Sequence, residues 1–234
     1  GSQTVTVSIT DKLNHKWAED NTTNDVTFTF TINKKSIAVT WGSKTSFVYN
    51  GSAQAPTVTT PVNGVNGEKL NLTVSGAQID VGGYTAKANI SSVTGGQAKT
   101  TNYKLTGDTK DFNITQKPIA KPQTNTTTFT YNGVTQTYTP VGFDSTTMSI
   151  SGHTRIDVGS QTVTVSITDK KNYKWADDNT TNDITFTFTI GKKPIAVTWG
   201  STTSFVYNGS AQAPTVTTPV NGVNGEKLNL TVSG

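Results

Sequence analysis

The chain has 234 residues, a net charge of +4, no cysteine and only 15% charged residues. The missing cysteines exclude disulfide staples, thiolate metal sites and cysteine nucleophiles. A lone arginine, Arg155, and scattered lysines exclude the clustered basic face of a nucleic-acid binder, and no apolar run is long enough to span a membrane.

About one residue in five is Thr, a β-branched side chain suited to a pleated, half-wet surface and poorly suited to a helix. Two stretches near the start, Thr4-Val5-Thr6-Val7-Ser8-Ile9-Thr10 and Val26-Thr27-Phe28-Thr29-Phe30-Thr31-Ile32, alternate strictly. Period-two alternation makes each a strand with Val5, Val7 and Ile9 on one face and hydroxyls on the other. Trp17 is the predicted large core residue between them, and residues 19–25 form a polar loop.

Strands are then predicted at 36–41, 46–50, 55–60, 69–75, 84–90, 101–106 and 110–116. Asn-Gly pairs at 50–51, 63–64 and 66–67 offer the positive-φ positions that tight turns need. Further strands are predicted near 119–121, 126–131, 135–140, 146–151, 162–168 and 183–190. Many short strands, regular turn signals and no amphipathic helix of useful length point to an all-β fold, an antiparallel β-sandwich.

Internal repetition organises these elements. Residues 1–76 return as 159–234, offset by 158, with changes only at Leu13/Lys171, His15/Tyr173, Glu19/Asp177, Val26/Ile184, Asn33/Gly191, Ser36/Pro194 and Lys44/Thr202. A fainter repeat divides the period into two types of unit. Phe47-Val48-Tyr49-Asn50-Gly51 answers Phe129-Thr130-Tyr131-Asn132-Gly133, and Leu72-Thr73-Val74-Ser75-Gly76 answers Met148-Ser149-Ile150-Ser151-Gly152. We name the types A and B. Residues 1–35 read as the C-terminal half of a B repeat, 36–117 as a complete A, 118–193 as a complete B, and 194–234 as the N-terminal half of an A. Neither half is expected to bury enough apolar surface alone, so each is expected to be completed by more chain or by a neighbouring copy. Alternation keeps look-alike domains from being neighbours, which limits strand exchange between them during folding.

The corner Ile79-Asp80-Val81-Gly82-Gly83-Tyr84 carries the most specific local signal. Asp80-x-Gly82-x-Tyr84 has the spacing of immunoglobulin-type sandwiches, in which the Tyr hydroxyl bonds back to nearby backbone. The B corner, Ile156-Asp157-Val158-Gly159-Ser160-Gln161, has Gln161 in place of the Tyr, so that bond must be replaced or lost. Lys117-Pro118 and Lys193-Pro194 join domains without a Gly/Ser-rich tether, and this predicts a stiff end-to-end stack advancing about 30–40 Å per domain.

With these residues, the run Phe47 to Gln54, the Asp80–Tyr84 corner and Asn102-Tyr103-Lys104-Leu105, the whole chain resembles the tandem MBG-type and immunoglobulin-like repeats of large Gram-positive bacterial surface adhesins. The resemblance implies tandem immunoglobulin-like sandwiches, with β-grasp-like repeats as the alternative. It also implies an extracellular, cell-wall-attached stalk whose anchor and binding tip lie elsewhere, and neighbouring repeats of the same long chain as partners.

Other candidate chemistry is thin. The oxygen-rich loops 19–25 and 177–183 are candidates for Ca²⁺ but lack the spacing of a defined calcium loop, and a solvated loop is the reading adopted. Asn113 with Lys35 or Lys117 and Glu68 is the one set that could form a Lys–Asn cross-link, and its roles do not align in B. The Thr-x-Thr strands suit an ice-binding ladder, but two-sided alternation accounts for them. His15 and His153 are too few and too separated for a triad or a zinc site, and Asp80 and Asp157 read as turn formers. No catalytic, cofactor-binding or metal-ligating residue is assigned, and no cofactor is expected. The expectation is therefore a non-enzymatic stalk, with multivalent binding of host mucin or glycan through loops such as 61–67 as the alternative.

Overall fold

Threonine alternating with Val, Phe or Ile builds a strand with one wet face and one apolar face, and the computed structural model is made of such strands. It describes residues 1–96 and 99–234, with nineteen short strands, one 3-10 turn at Thr100–Asn102 and, among the described residues, no α-helix. The chain divides into two compact units, Gly1–Thr115 and Gln116–Gly234.

In the first unit, β1 (Ser2–Val7) and β2 (Val26–Thr31) form an antiparallel hairpin with Val5 opposite Phe28. The A repeat follows with β3 (Lys35–Ala38), β4 (Ser46–Val48), β5 (Val62–Asn63), β6 (Lys69–Ser75), β7 (Gly82–Thr94), β8 (Tyr103–Thr106) and β9 (Thr109–Thr115). Five of these make one sheet in the order β4-β9-β7-β6-β5, and β3 pairs with β8. The core lies in two clusters, one of Phe47, Ala86, Phe112 and Ile114, the other of Leu70, Leu72 and Tyr103.

The second unit opens with β10 (Lys117–Ile119), β11 (Phe129–Thr130), β12 (Gln136–Thr137), β13 (Met148–Ser151) and β14 (Thr154–Arg155). It continues with β15 (Gly159–Ile167), β16 (Tyr173–Trp175) and β17 (Ile184–Gly191), then the small hairpin β18 (Val220–Asn221) and β19 (Lys227–Leu228). The sheet order is β11-β17-β15-β13. Its inner face is the apolar half of the alternation: Val163, Val165, Ile167, Phe188 and Ile190, with Trp175 against them, all buried.

Two expectations need correction. An antiparallel arrangement was expected, yet four pairs are parallel: β3 with β8, β4 with β9, β10 with β16 and β11 with β17. In each, a strand near the start of a repeat lies beside one near its end. Parallel partners need a long crossover connection, here most of the repeat, so no local pattern announces them. The strand expected at 55–60 is also absent. Only the isolated bridge Trp41–Val58 falls in that stretch, where Pro56, and Pro61 just after it, remove ladder donors.

Candidate functional site

The corners are tied by different side chains to the same backbone atoms. In A, the Tyr84 hydroxyl donates to the Asp80 carbonyl at 2.9 Å and reaches the Val81 carbonyl at 3.4 Å. In B, Arg155 takes over: Nε donates to the Asp157 carbonyl at 2.6 Å and Nη2 to the Val158 carbonyl at 2.9 Å. Gln161, at the tyrosine position, turns its amide instead to the carbonyls of Gly152 and Thr154. Both corners need glycine where the tie passes. A Cβ on Gly82 would lie 2.7 Å from the Tyr84 hydroxyl, and one on Gly159 would lie 2.6 Å from Arg155 Nη2. Asp80 and Asp157 thus act through their main chain as turn residues, and Arg155 is a corner residue that sequence reading missed.

The second construction is the joint at which B passes into A. Within the second unit, Tyr131, just past β11, donates its hydroxyl to Glu226 Oε1 at 2.7 Å, and Asn224 Nδ2 donates to the Asn132 carbonyl at 3.3 Å. The hydrogen bond from Tyr131 to the Glu226 carboxylate holds the phenol above its ordinary pKa. Tyr131 and Glu226 line a cleft of about 260 Å³ together with Lys192, Lys193 and Val223. The first unit repeats the cleft at the offset of 158, with Lys34, Lys35, Val65 and Glu68 around about 480 Å³. There the buried Glu68 accepts a hydrogen bond from Tyr103, which keeps that phenol's pKa high, and the Tyr103 hydroxyl accepts from the Val65 N–H at 3.0 Å. The stretch 194–234 has no counterpart of Tyr103, and Glu226 Oε2 accepts from the Val223 N–H instead, at 3.2 Å.

The Asn-Gly pairs serve these structures in two ways. Gly51 and Gly67 sit at φ of +78° and +80°, as tight turns require. Gly64 is required by contact instead, since a Cβ there would meet the Tyr103 hydroxyl at 2.6 Å.

The acidic loops are turns wrapped on tryptophan. Trp175 Nε1 donates to the Asn182 carbonyl at 2.7 Å and Trp17 Nε1 to that of Asn24 at 2.5 Å. Asn179 and Asn21 take the positive φ, of 59° and 56°. Asp178 Oδ1 accepts from the Thr180 N–H and hydroxyl, and its Oδ2 meets Lys121 Nζ at 2.5 Å. Lys121 first, then the Thr180 amide, lowers the pKa of Asp178 to about 2. Asp20 repeats the contact with Thr22. The loop carboxylates at these two positions are therefore engaged by the protein itself, and no group of three or more His, Cys, Asp or Glu side chains converges among the described residues.

The cross-link candidates are not brought together. Asn113 is exposed and opposite Ser46 and Gly83, whereas Glu68 adjoins Lys69, which pairs with Thr94 at the far end of β7. Those positions, Gly83 and Thr94, are eleven steps apart along β7, on the order of 35 Å. Lys35 sits opposite Tyr103 at the Glu68 end, and Lys117 belongs to the other unit. His15 lies 3.6 Å from Asp11 and is exposed, while His153 contributes its carbonyl to the Tyr138 N–H. The threonines of β15 and β17 pair across the outer face, Thr162 with Thr187 and Thr164 with Thr185, behind a buried apolar face. No protein-family model, curated protein or solved structure matches this chain.

Proposed function

We infer that the chain is a non-enzymatic structural and adhesive repeat region of a bacterial cell-surface protein: extracellular, immunoglobulin-like β-sandwiches stacked as a stiff rod that holds a binding tip off the cell wall. The observation that carries this reading is the linker-free B-to-A joint. Strand β17 ends at Gly191, Lys192-Lys193-Pro194 lead from it into the next repeat with no Gly/Ser-rich tether, and Tyr131–Glu226 and Asn224–Asn132 tie the two together. A function that depends on length and stiffness needs such ties wherever one repeat meets the next. The tyrosine-tied corner of A supports the immunoglobulin-like assignment.

The alternative, multivalent binding of host mucin or glycan by the repeats, relied on loops such as 61–67. In the second copy of that loop, Asn224 is hydrogen-bonded to Asn132 at the joint, which favours the stalk reading. The test is electron-microscopic imaging of the intact protein together with a glycan array probed with this chain. A contour growing by about 30–40 Å per repeat with few bends, and an empty array, is the expected result. A flexible, bead-like contour, or specific glycan capture, overturns it.

A further inference from the structure

On the β17 side, the sheet of the B repeat ends in an edge that is only partly covered. The Thr168 N–H donates to the Thr147 carbonyl at 3.0 Å, so every second residue of β15 counted back from there, Ser166 and Thr164, turns its main chain toward β13. Val163 and Val165 therefore turn theirs toward β17, where they meet Phe186 and Ile184. The N–H and carbonyl groups of Thr185 and Thr187 then point the opposite way, out of the sheet. Strand β11 pairs only with Ile190 and Gly191, and the order β11-β17-β15-β13 places no other strand on that side among the described residues. The chain leading into β11 does not close over this edge, since a cleft of about 250 Å³ lined by Asn125, Thr127, Thr128, Thr187 and Thr189 lies between the two.

The A repeat guards the same edge with charge. Strand β9 matches β17 position for position, with Phe112 and Ile114 buried where Phe188 and Ile190 are buried, and β4 covers only residues 113–115 of it. In the uncovered part, Asp111, Lys110 and Asp108 stand where B has Thr187, Phe186 and Ile184. Charged side chains on an open edge oppose pairing with another chain, because strand addition would strip their water. The uncovered stretch of B, residues 184–188, carries no charge and consists of β-branched and aromatic residues that favour strands.

We propose that the uncovered edge of β17 is a self-association surface, where β17 of a second copy of this chain adds antiparallel and joins the two sheets edge to edge. Turned about Phe186, the pair sets Thr185 of each copy opposite Thr187 of the other, and two such pairs exchange about four main-chain hydrogen bonds. A second copy is the occupant because the edge is its own complement: the outward-facing residues recur at mirrored places, and no like charges meet. The contact is isologous, so it uses the edge of both copies and closes at a dimer instead of growing. Every residue involved lies within the complete B repeat, and the surface stands independently of the stalk reading.

The experiment is sedimentation velocity on the full 234-residue chain from about 10 µM to about 1 mM, with amide NMR over the same range. A reversible monomer–dimer equilibrium is expected, with a Kd on the order of 100 µM. Amide exchange at Thr185 and Thr187 should slow several-fold as concentration rises, while that at Phe186 and Phe188, already bonded to β15, stays constant. Thr187→Asp copies the charged A edge at an outward-facing position, and Thr187→Pro removes an outward N–H and no ladder bond within the repeat. Each should weaken the dimer at least about tenfold and leave the circular dichroism of the monomer unchanged. Thr29→Asp, at the same position of hairpin β1–β2, should leave dimerisation as it is. A chain that stays monomeric up to about 1 mM, a dimer untouched by Thr187→Asp, or one abolished by Thr29→Asp overturns the proposal.

Discussion

Tyr84 and Arg155 sit on different strands of their repeats and share no chemistry, yet each donates to the carbonyls of an Asp-Val pair. The tyrosine tie was legible because its whole geometry spans five residues, Asp80 to Tyr84. The arginine tie was not, since nothing in Thr154-Arg155-Ile156 marks the guanidinium as turning back on a carbonyl two residues on. Removing it should be felt. Arg155→Ala should lower stability by about 1–2 kcal/mol, read as a lower midpoint in urea unfolding of the second unit. Arg155→Gln with Gln161→Tyr rebuilds the A-type corner in B and should recover much of that loss; strict additivity of the two changes would refute the equivalence. Asp178 makes a second prediction at this scale. Its folded pKa, about 2, lies below the ordinary carboxylate value of 3.8, because the Lys121 ammonium and the Thr180 amide favour the ionised form. Its contribution to stability is therefore complete above about pH 4 and is lost as pH falls toward 2. The wild-type thermal midpoint should drop across that window, and Asp178→Asn should flatten the drop.

At the scale of elements, alternation decides most of what forms. The stretches 162–168 and 183–190 were readable because Val, Ile and Phe recur every second residue, and they became β15 and β17 with that face buried. The edges of the sheets were not readable. Strands β11 and β4 are two and three residues long and owe their existence to parallel partners more than fifty residues away in sequence. The joint was invisible for the same reason: Tyr131 and Glu226 are 95 residues apart. What sequence did offer was the recurrence of Lys-Lys, Val and Glu at the offset of 158, which lines both clefts. Tyr131→Phe, which removes only the hydroxyl, should quicken amide exchange around Val223–Glu226 several-fold and leave β15 and β17 unchanged. Equal acceleration throughout the unit would show global destabilisation instead of a loosened joint.

For the molecule as a whole, two near-identical stretches in one chain act as an internal control. The hairpin at 1–33 keeps the register of its copy although Val5 is half exposed and Val163 buried, so pairing is encoded locally, while burial is set by the strands packed over the sheet.

The parallel pairs carry a mechanical corollary. In both repeats, strands near the entry lie beside strands near the exit and run in the same direction. Tension between the two ends drags these neighbours lengthwise past each other, so their hydrogen bonds are loaded together in shear and cannot unzip one at a time. In single-molecule pulling, each complete repeat should give way in one abrupt step, and Thr115→Pro, which deletes a main-chain donor from the β9 end of the β4–β9 pair, should lower the rupture force of the A repeat while leaving that of B intact.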